Sequence, residues 1–273
     1  LQTNLTPDQI AELAAFAETL ADAAGKVIMP YFRKPLHVDD KAGAGHRFDP
    51  VTEADREAER VIRAMIKQKY PHHAVIGEEH PYDDGNSGKA GPKLTWVLDP
   101  IDGTRAFISG LPLWGTLIAL NDGHQPVIGV IDQPFTGERF IGTPLGSHLG
   151  GEKLKTRACA GLAQATLSTT DPDLLGEGAE RSAYRKVENK VRLRRYGYDC
   201  YAYAMLAHGY IDLVIEAGLK TFDVQALIPV IQGAGGIVTN WRGGPAFEGG
   251  QIIAAGDARV HAEALALLAE AAS

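Results

Sequence analysis

The chain has 273 residues, 45% of them hydrophobic, enough to bury a sizeable core as one large domain or two closely packed ones. Its formal net charge of -7 argues against nucleic-acid or anionic-membrane binding, which needs clustered Lys and Arg, and means that an anionic substrate requires metal ions to bind. Its two cysteines, Cys159 and Cys200, form neither a zinc pattern nor a disulfide framework and point to a reducing cytoplasm, and no apolar run approaches the roughly 18 residues of a membrane span.

Leu1 opens the chain without a Met, which leaves its true start open, and no charged-then-apolar leader pattern follows. Thr6-Pro7-Asp8-Gln9 is a capping box with Pro at the first helical position, and Ile10, Leu13, Ala17, Leu20, Ala24 and Val27 continue at helical spacing. A second helix is predicted from Thr52-Glu53-Ala54-Asp55 through Val61, Ile62, Met65 and Ile66 to near Pro71. Extended runs follow at Ala74–Gly77, Leu94–Leu98, Leu113–Leu120 and Val127–Asp132, the last two joined by the Asn121-Asp122-Gly123 turn, with Thr136-Gly137-Glu138 turning into another strand. Tyr82–Pro92, rich in Gly, Asp, Asn and Ser, reads as a mobile loop. Beyond about Leu154 strands and helices alternate: strands at Ala165–Ser168, Val191–Arg195, Leu213–Glu216, Gly236–Asn240 and Ile252–Ala255, helices at Asp199–His208 and Asp223–Gln232, and a final helix capped by Asp257. An α+β half (1–153) followed by an α/β half (154–273) predicts a layered fold of two sub-domains.

The chemistry concentrates in Trp96-Val97-Leu98-Asp99-Pro100-Ile101-Asp102-Gly103-Thr104. A buried strand runs into Asp99 and Asp102, and Pro100 and Gly103 then force a turn that can aim both carboxylates at one point. Converging carboxylates persist as anions only around a cation, and Mg²⁺ prefers such hard oxygens; the alternative is an Asx-turn in which each Asp caps local N–H groups. Four other segments offer acidic groups: Asp55 in the first turn of a helix, Glu78 and Glu79 at a strand end, Asp199 at a helix start, and Glu216 and Asp223 bracketing a strand-to-helix junction. Singly, each has a plain structural reading as a helix cap or a solvated charge.

In order, Asp49-x-x-Thr52-x-x-Asp55, Gly77-Glu78-Glu79, Trp96 to Thr104, and Phe222-Asp223-Val224 followed by Gly233-Ala234-Gly235-Gly236 resemble the inositol monophosphatase family of Mg²⁺-dependent, lithium-sensitive phosphomonoesterases. The resemblance implies an αβαβα sandwich of the sugar-phosphatase type, a homodimer, and two to three Mg²⁺ per subunit. It makes Glu78, Asp99 and the Ile101 carbonyl ligands of a first ion, Asp99, Asp102 and Asp223 ligands of a second, with Glu78 supporting a weaker third. Thr104 and Asp55 would orient and deprotonate the attacking water with Glu78 assisting, and the N–H groups of Gly103 and Thr104 would hold phosphate oxygens. No phosphoenzyme is needed, so neither cysteine nor any histidine has a catalytic role.

Arg105-Ala106-Phe107 to Gly115, Asp199-Cys200-Tyr201-Ala202-Tyr203 and Ala226-Leu227-Ile228-Pro229 look like the histidinol-phosphate phosphatase branch, which serves histidine biosynthesis. That substrate carries an ammonium and an imidazole, to which Asp199 and Glu216 would be matched. Inositol monophosphate, other sugar phosphates and nucleotide phosphates are the same-family alternatives, and a catalytically inactive metal-binding regulatory protein is the alternative of another class.

Overall fold

The first helix shows how far local sequence rules carry. In a computed structural model describing residues 3–41, 50–85 and 94–273, α1 spans Pro7–Ile28. Thr6 and Gln9 exchange the two bonds of the capping box at 3.3 and 2.9 Å. Its buried stripe runs through Leu13, Ala17, Leu20, Ala24 and Ile28; Ile28 takes the inward place expected of Val27 because it lies one turn beyond Ala24. A short strand β1 (Val38–Asp40) pairs with β2 (Pro50–Thr52), which leads into α2 (Glu53–Lys69). Asp49, and residues 86–92 of the expected loop at 82–92, lie outside the described residues.

One seven-stranded sheet is built from β3 (Ala74–Gly77), β4 (Thr95–Asp102), β5 (Gly115–Asn121), β6 (Pro126–Gln133), β7 (Glu138–Thr143), β8 (Gly146–Leu149) and β9 (Glu152–Lys153), paired in chain order and antiparallel except for β3 with β4. Helix α3 (Thr104–Ile108) interrupts it after β4. The second half contains β10 (Thr166–Thr169), α4 (Ala179–Glu188), β11 (Leu193–Tyr196), α5 (Asp199–Ala207), β12 (Leu213–Leu219), α6 (Thr221–Val224), α7 (Leu227–Gly233), β13 (Ile237–Asn240), β14 (Gly250–Ala255) and α8 (Ala258–Leu268). Its strands form a five-stranded sheet in the order β11-β10-β12-β14-β13.

Strand alternation sorts these elements into five layers. On β4 and β5, Trp96, Leu98, Ile118 and Leu120 pack under α1 and α2, while Val97, Leu117 and Ala119 face α5 and α7. On β12 and β14, Val214, Ile252 and Ala254 face the same two helices from the other side, and Leu213, Ile215, Ile253 and Ala255 face α4 and α8. The result is an αβαβα sandwich. Sheets on both sides explain why α7 is buried at five successive residues, Leu227 to Ile231, rather than along one stripe.

Three expectations need correction. The helix predicted over Asp223–Gln232 is two pieces, α6 and α7, because Pro229 has no N–H for the Gln225 carbonyl and its ring crowds that group. The edge strand predicted at Val191–Arg195 lies at Leu193–Tyr196, set by pairing with β10. The turn expected from Asp99 is a continuation of β4 to Asp102, and the chain turns only at Gly103, whose φ of +84° suits glycine. Helices α3 and α4 and strands β1, β2, β8 and β9 carry too short or too polar a pattern to have been anticipated.

Candidate active site

In a regular strand, residues three apart face opposite sides of the sheet. Asp99 pairs with Leu117 and Asp102 with Gly115, so three steps along β4 answer two along β5, and this bulge turns both carboxylates toward the same cleft. The bulge is pinned by the Ile101 N–H donating to Asp99 Oδ1 at 3.1 Å and by the Thr116 hydroxyl donating to the Pro100 carbonyl at 2.8 Å. Thr104 opens α3 and donates its hydroxyl to the Ile101 carbonyl at 3.1 Å. From the second half, Asp223 in α6 accepts the Lys220 N–H at 2.6 Å. Carboxylate oxygens of Asp99, Asp102 and Asp223 lie within 4.8 Å of one another. Glu78, at the end of β3, lines the same cleft of about 330 Å³, as do Ile101, Gly103, Thr104, Asp199 and Glu216.

Crowding leaves these carboxyls strongly perturbed. Burial, then the neighbouring Glu78, raises Asp99 well above the ordinary carboxylate range; burial, then Asp199, does the same to Asp102. Burial raises Asp223 to about 7, helped by Glu78 and opposed by the Lys220 N–H. A cluster of hard oxygen donors crowded into a cleft whose lining also carries the cations Arg105 and Lys220 fits a hard divalent cation held by the three aspartates. Lys41 shows the same need one step away: its ammonium binds Glu78 at 2.7 Å and Glu79 at 2.6 Å.

Asp55 does not line the cleft with the others. It is 1% exposed, and its Oδ2 accepts from the Thr52 N–H at 2.9 Å and the Thr52 hydroxyl at 2.5 Å. Its Oδ1 is buried without a hydrogen-bond partner among the described residues, and burial raises the group to about 7. A carboxylate anchored through one oxygen with the other unpaired is suited to receive a proton.

Asp199 is the first residue of α5, one position after its N-cap Tyr198, and its φ is +42°. The carboxylate packs over Gly103, where an added Cβ would stand 3.1 Å from Asp199 Cγ. Burial, then Glu216, raises it to about 7, while Arg105 and hydrogen bonding with Thr170 pull the other way. Glu216 is more committed. Its Oε1 accepts from the Thr170 N–H at 2.8 Å and hydroxyl at 2.6 Å, and its Oε2 from the Tyr203 hydroxyl at 3.1 Å. Sequence reading missed Lys41, and also Cys200, whose N–H donates to Asp102 Oδ2 at 2.6 Å. Lys41 had no motif to mark it; Cys200 lay inside a segment singled out for another reason.

The model of the inositol monophosphatase family matches residues 9–273. The chain belongs to that family. It is 44% identical over 273 residues to the chloroplastic bifunctional phosphatase IMPL2 of Arabidopsis thaliana, covering 96% of this chain and 77% of that protein. It is 34% identical over 242 residues to the histidinol-phosphatase of Chlorobaculum parvum, covering 88% of each. An inositol monophosphatase from Zymomonas mobilis, described with a flexible region at its active site, superposes with a TM-score of 0.83 at 41% identity, over 94% of this chain and 98% of that one. Family membership and the layered fold implied by the four motifs are thereby borne out, and the family and these relatives are phosphatases. No helix among the described residues is long and apolar enough to cross a membrane.

Proposed function

We propose that the protein is a Mg²⁺-dependent phosphomonoesterase that hydrolyses histidinol phosphate to histidinol and phosphate. Glu78, Asp99, the Ile101 carbonyl, Asp102 and Asp223 would hold two to three Mg²⁺. Bound there, Mg²⁺ supplies neutralisation of the phosphate charge, activation of water and stabilisation of the leaving oxygen. Thr104 spends its hydroxyl proton on the Ile101 carbonyl, so its oxygen lone pairs remain to accept from the attacking water. Asp55, buried behind the cleft near Glu78 rather than in its lining, would receive the proton on Oδ1, which has no hydrogen-bond partner among the described residues. The N–H groups of Gly103 and Thr104 hold phosphate oxygens at the start of α3. Glu216, tied to Thr170 and Tyr203, contributes charge at the wall of the pocket.

The observation that carries the choice of ester is Asp199. Its carboxylate shares the cleft with the acidic cluster and stands near Glu216, so the organic half of the substrate meets a pair of carboxylates, offset in part by Arg105, that suits an ammonium or an imidazolium. Similarity to histidinol-phosphatases supports the same reading. Residues 1–153 and 154–273 act as two sub-domains, each contributing ligands; the working unit is a homodimer, and two free, buried cysteines suit a cytoplasmic setting.

Phosphate release from histidinol phosphate and from myo-inositol 1-phosphate, each with and without Mg²⁺, tests this directly. A higher kcat/KM for histidinol phosphate is expected. Preference for the inositol ester overturns the substrate, and Mg²⁺-independent or absent hydrolysis of both overturns the mechanism.

A further inference from the structure

The turn carrying Glu78 is held from behind by a carboxylate that does not line the cleft. Glu59, in the second turn of α2, is 0% exposed, a location that penalises charge unless its oxygens are fully bonded. Its Oε2 accepts the Glu79 N–H at 2.8 Å, and its Oε1 accepts from Arg63 Nε at 2.7 Å, one helical turn further on. Arg63 in turn donates through Nη2 to the His80 carbonyl at 3.0 Å, and the His80 ring stands 3.4 Å from Glu59 Oε1. The pair thus grips the backbone at residues 79 and 80. The grip requires glycine at 77: a Cβ there would lie 2.1 Å from Glu59 Oε1, although φ at 77 is outside the left-handed region.

We infer that Glu59 and Arg63 are positioning residues that fix Glu78 at its distance from Asp99 and Asp223 and so set the affinity of the cluster for divalent cations. The inference rests on the reading of Glu78 as a cation ligand. An ion pair serving the fold alone would be replaceable, since buried pairs are often exchanged for apolar groups without loss of stability. A pair that aims a ligand is not, because groups behind metal ligands typically control affinity by about 10- to 100-fold.

Mn²⁺ binding followed by the EPR signal of the free ion separates the two roles, with Tm and ester hydrolysis measured on the same samples. The Glu59→Leu/Arg63→Met double variant is expected to keep a Tm near that of the wild type, to bind Mn²⁺ about tenfold more weakly, and to need correspondingly more Mg²⁺ for half-maximal activity. Glu59→Gln, which retains an oxygen for the Glu79 N–H, should recover most of that affinity. Gly77→Ala, which pushes the carboxylate away from the turn side, should weaken Mn²⁺ binding in the same way, and it decides the matter if the double variant does not fold. Wild-type Mn²⁺ affinity in the folded Glu59→Leu/Arg63→Met variant, or in folded Gly77→Ala, overturns the inference. A wild-type protein that neither binds Mn²⁺ nor hydrolyses the ester overturns the functional reading beneath it.

Discussion

Asp199→Asn should erase the preference for histidinol phosphate while sparing hydrolysis itself. The substitution is nearly isosteric, and asparagine is among the residues that tolerate the left-handed φ of +42° found here. The N-cap position of α5 belongs to Tyr198 and is left untouched. What disappears is one negative charge beside Glu216, and with it a charge-assisted hydrogen bond to a cationic substrate worth about 1.5–3 kcal/mol, or roughly 10- to 150-fold in kcat/KM. The control is p-nitrophenyl phosphate, which has no cationic group and should be hydrolysed almost as well by the variant as by the wild type. Steady-state kinetics on both esters at saturating Mg²⁺ provide the comparison, with the half-saturating Mg²⁺ concentration followed because Asp199 also raises the pKa of Asp102. Equal losses on the two esters would refute the reasoning and assign Asp199 to the fold or the acidic cluster.

Asp99→Asn is expected to abolish Mg²⁺-dependent hydrolysis, since loss of several kcal/mol of transition-state stabilisation is several factors of ten in rate, and to raise the Tm of the metal-free protein by relieving repulsion from Glu78, Asp102 and Asp223; near wild-type turnover would contradict this. Thr104→Ala should lower kcat by roughly 100-fold or more with little change in KM, because water orientation matters mainly in the transition state, and a change confined to KM would reassign Thr104 to substrate holding. Burial lowers His73 from 6.5 to about 4, and its Nδ1 accepts from Trp96 Nε1 at 3.1 Å, so this side chain is neutral when folded. The unfolded chain therefore binds more protons between those values, and the His73 contribution, fully present above pH 6.5, is lost as pH falls toward 4. Thermal melts across that window should show a slope that His73→Asn flattens; an unchanged slope would locate the acid sensitivity elsewhere.

Features that depend on neighbours along the chain were legible before any fold was known. The capping box and four-residue spacing specified α1, the apolar runs specified the strands, and Asp-Pro-Ile-Asp-Gly-Thr placed two carboxylates and a hydroxyl at the end of one of them. Pro229 could have announced the break between α6 and α7, for its missing N–H is a local fact. Tertiary structure alone decided the rest. The bulge that turns Asp99 and Asp102 the same way exists only in the register of β4 against β5. Asp223 joins them from a segment more than a hundred residues later because the five-layer packing brings α6 against β4. Whether a carboxylate is available or spent also followed from distant partners: Thr170 and Tyr203 engage Glu216, Lys41 binds Glu78, and Glu59 grips the turn beyond it. Periodicity and capping act over a few residues and leave a pattern in the chain. A side chain's hydrogen-bond partner is set by sheet register and layer packing, which a single sequence does not display.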